Sequence, residues 1–232
     1  MTVEKWFQNA VSVDRLTGTS WAELTVGELL ASIASPLPAP GGGSVSALLG
    51  AMGAGLVSMA ASLAAAKGGQ MAARLEELAA HGRALADTFT ELARRDTAAF
   101  LEVAGAYRLP RATPDEKEAR RAAVAEATRL AALVPSETGE RALELAELVA
   151  DVARFSLPAT TSDLGVALEC ARAAIEGAVL NVEANLSGLG AAGAAFTEEY
   201  GRRVHSLRQR GKDAYAAARK NVGLAASNPT VG

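Results

Sequence analysis

The sequence predicts an all-α protein, built as a single-domain bundle of long helices. Apolar residues make up 50% of the 232-residue chain but aromatic residues only 4%, so Ala, Leu, Val and Gly must fill the core. Long segments repeat apolar side chains at steps of three and four residues, which is the helical period. Glycine and proline separate these segments, and β-branched residues are too scattered to favour strands.

Residues 1–24 are interpreted as an N-terminal extension, and residues 25–225 as the helical domain. The extension contains both tryptophans, Trp6 and Trp21, and we expect it to act as a short docking arm. Thr25 and Glu28 have the spacing of a capping box, which predicts a short helix from there to about residue 34.

A glycine-rich loop, residues 38–44 (PAPGGGS), leads into an uncharged segment that ends near Ala66. Ser44 is the predicted N-cap of a long helix, and the loop glycines let the backbone approach a ligand closely. Amides at a helix N-terminus favour an anion or a carbonyl group. A flexible hinge is the alternative for the loop. A membrane span is the alternative for the helix, but its many Ala and Gly residues favour a buried position.

A second long helix is predicted from about Met71 to Tyr107. Its apolar stripe includes Leu85, Phe89 and Leu92, and the same spacing places Asp96 on this face. A buried carboxylate needs a partner or its pKa rises, so Asp96 is a candidate functional group. The alternative is a structural or surface position, paired with a neighbouring arginine.

Four further helices are predicted in the second half of the chain. A capping box at Thr113 opens a helix to about residue 133, and Pro135 is expected to separate it from a helix over residues 137–155. The next helix spans about residues 163–186, with Thr161 or Ser162 as its cap, and the last spans about residues 191–222. Asn181 and Asn185 lie one turn apart on the former, which favours an interhelical hydrogen bond or a ligand contact.

Several classes of function are disfavoured by composition. The net charge is −3 without a basic stripe, which argues against nucleic acid as a partner. The two histidines, His81 and His205, lie far apart, so no metal site is expected. A single cysteine and an N-terminus without signal-peptide features favour the cytoplasm, and we expect no membrane partner.

Four blocks of sequence, each weak alone, together resemble a known family over about residues 25–225. They are residues 38–44 (PAPGGGS), residues 96–100 (DTAAF), residues 107–114 (YRLPRATP), and residues 162–164 with 177–186 (SDL and GAVLNVEANL). The family is the cyclodeaminase/cyclohydrolase family of folate one-carbon metabolism.

The resemblance implies a helical homodimer that binds a tetrahydrofolate derivative near the subunit interface, with no further cofactor. It implies an enzyme acting on the bridge between N5 and N10, either a methenyltetrahydrofolate cyclohydrolase or a formiminotetrahydrofolate cyclodeaminase. Asp96 and Lys67 are the catalytic candidates. The candidate substrate contacts are Gly41, Gly42, Gly43, Ser44, Arg108, Ser162, Asp163 and Asn181.

Two positions depart from the family pattern. Leu157 stands where the family usually has an asparagine, and Arg94 stands where an acidic residue is frequent. These departures favour one alternative of a different class, a helical dimer that binds a folate or another ligand without turning it over.

Overall fold

The computed structural model describes residues 11–18, 21–37, 39–190 and 193–223. These residues form helices and connecting turns without a strand, which confirms the all-α prediction. The helices are α1 Val13–Gly18, α2 Val26–Ile33, α3 Gly42–Ala65, α4 Ala72–Tyr107, α5 Pro114–Ala153, α6 Thr161–Gly188 and α7 Ala194–Asn221, with 3-10 turns at Trp21–Glu23 and Pro158–Thr160.

Helix α3 is the centre of the bundle. It packs against α4 and α6, α5 closes the group against α4 and α6, and α7 lies on α5 and α6. Gly43 of α3 lies against Asp96 of α4, and Gly50 lies against Phe89, so α3 and α4 are antiparallel. Gly53 of α3 lies against Cys170 and Gly42 against Asn181, so α3 and α6 are antiparallel too. We call the end of the bundle where α3 begins the site end, and the end where α3 stops the opposite end.

The described part of the N-terminal extension packs on α4. Trp21 is buried, and its indole Nε1 donates a hydrogen bond to the carbonyl oxygen of Leu16 at 2.8 Å. The backbone N–H of Val11 donates to Ser32 Oγ in α2 at 2.8 Å. This part of the extension therefore docks on the bundle. Trp6 and Pro38 lie outside the described residues.

Both predicted capping boxes are present, at Thr25 with Glu28 and at Thr113 with Glu116. The predicted cap of α3 is wrong: the helix starts at Gly42 with Gly41 as its N-cap, and Ser44 lies inside the first turn. The cap predicted for α6 is also wrong, because Thr161 and Ser162 are helical and Thr160 precedes them without a side-chain cap bond.

Helix α5 continues through Pro135, so the predicted break is wrong. A proline has no N–H, and the carbonyl four residues earlier loses its helical partner. Here that carbonyl belongs to Ala131, and Asn185 Nδ2 of α6 donates a hydrogen bond to it at 3.2 Å. A side chain fifty-four positions away thus supplies the bond that the proline removes, which helps the helix to continue.

Helix α3 is the one described helix long and apolar enough to cross a membrane. Half of its most apolar window is buried inside the bundle. Such burial is typical of the central helix of a helical bundle, which agrees with its position between α4 and α6.

Close approach of α3 and α4 depends on glycine. A Cβ atom added at Gly50 would lie 2.5 Å from Cε1 of Phe89, whose side chain is fully buried. Because the ring has no space to move into, a methyl group at this position forces the helices apart.

We therefore expect Gly50→Ala to lower the free energy of unfolding by about 1–3 kcal/mol, the usual cost of overpacking a core. Helix propensity alone would raise it by about 1 kcal/mol. The matched control is Gly201→Ala in α7, where an added Cβ meets no atom within 4 Å. That control should be neutral or stabilising by about 0.5–1 kcal/mol in urea denaturation. Equal stabilisation by both substitutions would contradict the close packing at Gly50.

Candidate active site

The carboxylate of Asp96 lies against the first turn of α3. Ser44 donates a hydrogen bond from Oγ to Asp96 Oδ2 at 2.8 Å, and its backbone N–H donates to the same carboxylate. Ser44 Oγ also lies 3.0 Å from Thr97 Oγ1. Since Gly41 has no side chain to cap α3, Asp96 provides the capping carboxylate from the neighbouring helix.

Burial raises the pKa of Asp96 above its ordinary value, and the two hydrogen bonds from Ser44 oppose this effect without cancelling it. The direction follows from desolvation, which disfavours the charged form of a carboxyl group. Asp96 thus combines a defined position with a shifted pKa, a combination typical of catalytic acids and bases.

The glycines at the start of α3 allow this contact. A Cβ atom at Gly43 would lie 2.6 Å from Cγ of Asp96, so any side chain at this position would displace the carboxyl group. The nearest atom to a Cβ at Gly42 is Asn181 Nδ2, at 3.4 Å. Within the described chain, no group accepts a hydrogen bond from the N–H of Gly42 or Gly43.

The two asparagines of α6 face the same place. Asn181 Nδ2 donates to the carbonyl oxygen of Gly177 at 2.7 Å, and its Oδ1 has no donor among the residues that the structure describes. Asn185 bonds to Ala131. Both side chains are half-buried. Asn181 is therefore placed to accept a hydrogen bond from a ligand.

These groups surround a cavity of about 210 Å³. It is lined by Ala39, Gly41, Gly42, Gly43, Asp96, Thr97, Phe100, Val103, Ala131, Asn181 and Asn185. Cavities that enclose a whole drug-sized ligand are commonly about 300–1,000 Å³. This one is smaller and has room for only part of such a molecule, and Phe100, which is 44% exposed, gives its rim an apolar surface.

The predicted site residues do not all meet within one chain. Gly41, Gly42, Gly43, Asp96 and Asn181 line the cavity, and Ser44 binds Asp96 beside it. Asn185, Thr97 and Phe100 also line the cavity, although of these four residues only Asn181 is predicted from the sequence as a substrate contact. Phe100 follows Asp96 by one helical turn, which is the signal that places it on the same face.

Lys67, Ser162 and Asp163 lie at the opposite end of the bundle. Ser162 precedes Asn181 by nineteen residues of α6, or about 28 Å at the rise of a helix. It borders a separate groove between α6 and α7, beside Glu169 and Tyr215. Lys67 follows the last turn of α3. A single chain therefore does not bring these three residues to Asp96.

Arg108 is the C-cap of α4 and is exposed. It follows Asp96 by twelve residues, about 18 Å along the helix axis. Arg108 is thus outside the cavity and lies at the turn between α4 and α5.

Neither departure from the family pattern touches Asp96 through a hydrogen bond. Arg94 binds Glu91 on its own helix and donates from Nη1 to the carbonyl oxygen of Thr17 at 3.1 Å, which ties α1 to α4. Leu157 packs against the hydrophobic core at the opposite end. Both residues have structural roles here. In the described residues, no group of three or more His, Cys, Asp or Glu side chains is arranged to hold a metal ion.

Comparison with known proteins adds the family context. Residues 25–205 match the model of the formiminotransferase-cyclodeaminase family. Methenyltetrahydrofolate cyclohydrolase of Methylorubrum extorquens is 37% identical over 180 residues, which cover 75% of this chain and 84% of that protein. Formimidoyltransferase-cyclodeaminase of Rattus norvegicus is 32% identical over 176 residues, covering 75% of this chain but 32% of that longer protein.

The crystal structure of formiminotetrahydrofolate cyclodeaminase from Thermotoga maritima has the same fold. It superposes with a TM-score of 0.76 at 23% identity, over 87% of this chain and 97% of that one. The likeness extends over the helical bundle.

The raised pKa of Asp96 predicts a pH-dependent stability. The folded state holds the Asp96 proton more tightly than the unfolded state does. Ionisation of Asp96 therefore lowers the free energy of unfolding as the pH rises from about 4 through the pKa of Asp96 in the folded state. We expect the free energy of unfolding of Asp96→Asn, relative to the natural protein, to increase over that pH range and then level off. Urea denaturation at successive pH values measures it, with Asp87→Asn on the exposed side of α4 as control. If the difference in the free energy of unfolding between Asp96→Asn and the natural protein stayed constant or decreased over this pH range, it would contradict the raised pKa.

Proposed function

Because the chain belongs to the formiminotransferase-cyclodeaminase family, we propose that it is a folate one-carbon enzyme, a methenyltetrahydrofolate cyclohydrolase. The observation that carries the proposal is Asp96, a half-buried carboxyl group with a raised pKa in a cavity formed by the first turn of α3. The similarity to the cyclohydrolase of Methylorubrum extorquens, of which this chain covers 84%, favours this reaction.

The proposed reaction begins with water attacking the methenyl carbon between N5 and N10. This carbon belongs to a cationic amidinium group, and the carboxylate of Asp96 stabilises its positive charge. Asp96 accepts a proton from the attacking water, and the carbon becomes tetrahedral with a new hydroxyl group. The bond from carbon to N5 then breaks as Asp96 returns its proton to N5, the proton of the new hydroxyl group leaves to solvent, and the formyl group remains on N10.

Burial prepares Asp96 for both steps. A carboxyl group with an ordinary pKa is a weak base near neutral pH, whereas a raised pKa makes it a better proton acceptor. Asn181 Oδ1 and the amides of Gly42 and Gly43 are the polar groups that orient the ring system. In this proposal the tetrahydrofolate itself is the only organic ligand, and no metal or further cofactor takes part.

Activity with methenyltetrahydrofolate tests the proposal directly, through the decay of its ultraviolet absorbance. The natural protein should accelerate this decay over buffer, and Asp96→Asn should lower kcat by about 10²–10⁴, the usual contribution of a general base. Asp87→Asn is the control and should retain full activity.

Other outcomes separate the alternatives. Ammonia release from formiminotetrahydrofolate, with no decay of the methenyl compound, would identify a cyclodeaminase instead. Folate binding without turnover of either compound would favour the non-catalytic alternative. Full activity in Asp96→Asn would contradict the role of Asp96.

We also propose that the chain forms a homodimer through the outer face of α3. This face is uncharged over the whole helix and exposes Met52, Met59 and Leu63, with exposed fractions of 58%, 40% and 47%. Exposed apolar faces of this length are typical of protein interfaces. A second copy of the chain offers the same uncharged face, and two-fold symmetry pairs such faces with each other.

Antiparallel pairing of two α3 helices would join opposite ends of the two bundles. The site end of one chain then lies beside the opposite end of its partner, where Lys67, Ser162 and Asp163 are found. We therefore propose that each active site combines Asp96 and Asn181 of one chain with Lys67 of the other. This arrangement would reunite the residues that a single chain separates.

Mixed dimers test the shared site. Asp96→Asn and Lys67→Gln should each be inactive alone, but their co-expression should restore about a quarter of natural activity, since half of the dimers contain one intact site of two. Adding Met52→Asp to both chains places a charge in the interface and should abolish this recovery. Full activity of Lys67→Gln alone, or no recovery in the mixture, would contradict a shared site.

A further inference from the structure

The hydroxyl of Thr97 is bonded differently from those of other threonines inside the helices. Thr88, Thr90 and Thr138 each donate to the carbonyl oxygen four residues earlier, a common arrangement for this side chain. Thr97 has no such bond in the described part of the chain, and its hydroxyl meets only Ser44 Oγ, at 3.0 Å. Because Thr97 is 1% exposed, bulk water does not supply another partner.

The hydrogen bond between these two hydroxyl groups has a fixed direction. The hydroxyl of Ser44 has one hydrogen, which it donates to Asp96 Oδ2 at 2.8 Å. Ser44 Oγ therefore accepts from Thr97, and the three side chains form a chain of donors that ends at the carboxylate. In the opposite direction, the hydrogen of Thr97 would be buried without an acceptor, which is costly.

This chain makes the two oxygens of Asp96 unequal. Oδ2 accepts the hydroxyl of Ser44, so a proton on Oδ2 would bring two hydrogens against each other. Oδ1 accepts no side-chain hydrogen bond among the described residues. It is also the Asp96 atom nearest to the place of a Cβ at Gly43, which lines the cavity. Oδ1 is therefore the oxygen that can take up and release a proton.

The chain of hydroxyl groups acts on Asp96 without help from a charged side chain. Helix α3 contains no titratable side chain, and the other residues that line the cavity do not titrate. Only burial and Ser44 shift the pKa of Asp96. Charged side chains on the surrounding helices are paired elsewhere: Arg94 with Glu91, Arg95 with Glu137, Arg129 with Glu126, Glu183 with Arg208, and Arg15 with Glu28.

We propose that Thr97 is a positioning residue of the active site, which directs the hydroxyl of Ser44 to Oδ2 of Asp96 and so assigns the transferred proton to Oδ1. The inference rests on the proposed function, in which Asp96 exchanges a proton with water and with N5. A donor to Ser44 Oγ strengthens the bond that Ser44 gives, because hydrogen bonds in a chain polarise one another. Thr97 therefore stabilises the charged form of Asp96 and limits how far burial raises its pKa.

Urea denaturation of Thr97→Val, which replaces the hydroxyl with a methyl group, tests this chain in the free protein. Without the donor, the pKa of Asp96 in the folded state should rise further, by roughly 0.3–1 unit. A higher folded-state pKa lowers stability more as Asp96 ionises, so the cost of Thr97→Val should grow as the pH rises from about 4 through the pKa of Asp96. In the Asp96→Asn background, the cost of Thr97→Val should be the same at every pH.

Thr138→Val is the matched control, because Thr138 is also 1% exposed but donates only within its own helix. Its cost should not depend on the ionisation of Asp96. Thr97→Ser keeps the hydroxyl and should retain the pH dependence of the natural protein. If the cost of Thr97→Val were independent of pH, or equally dependent on pH in the Asp96→Asn background, the proposal would be overturned. Thr97→Ala gives the same comparison if Thr97→Val does not fold.

Kinetics with methenyltetrahydrofolate test the same chain during turnover. In Thr97→Val the acidic limb of kcat/KM, which reports ionisations of the free protein, should move to higher pH by the same roughly 0.3–1 unit. Its kcat should fall about two- to tenfold, with KM within about twofold, and Thr97→Ser should restore both the limb and kcat. An unmoved limb in Thr97→Val would overturn the proposal. If the natural protein does not turn over the compound, the proposed function fails, while the denaturation experiment still decides whether Thr97 acts on Asp96.

Discussion

The contact between Asp96 and the first turn of α3 determines both how the bundle packs and what its cavity contains. Gly43 lets the carboxyl group reach the amide and hydroxyl of Ser44, and in return Asp96 caps a helix that has no capping side chain of its own. The helix N-terminus attracts the negative form of Asp96, whereas burial disfavours it. Burial is the larger effect, so the residue that fixes α3 against α4 also has a raised pKa.

A hydrogen bond between α5 and α6 positions the other side of the cavity. Pro135 leaves the carbonyl of Ala131 without its helical donor, and Asn185 supplies one from α6. This hydrogen bond fixes the distance between α5 and α6 at the level of Asp96, because Ala131 and Asn185 both line the cavity. A proline inside a long helix here positions an asparagine one turn from Asn181, on the face directed at the ligand.

Local signals in the sequence were sufficient for most of the fold and for part of the site. The capping boxes at Thr25 and Thr113 and the interrupted stripe at Asp96 depend on neighbouring residues, so they were predicted correctly. The start of α3 and the continuity of α5 depend on Asp96 and Asn185, which lie more than fifty residues from the positions they stabilise. The helical periodicity of the sequence does not show which distant side chain will form such a hydrogen bond. For the same reason, the sequence did not show that Lys67 and Asp163 lie at the opposite end from Asp96.

The charge state of Asp96 connects this packing to the proposed reaction. In the free protein, burial raises the pKa of Asp96, because the residues that line the cavity include no counter-ion for its charged form. A cationic methenyl group bound beside it favours the carboxylate, so ligand binding and loss of the proton promote each other. The bound substrate would therefore lower the pKa of Asp96, opposing the effect of burial. Ser44 can act as a donor in both states, because Oδ2 of Asp96 can accept its hydroxyl hydrogen bond whether or not the other carboxyl oxygen carries a proton.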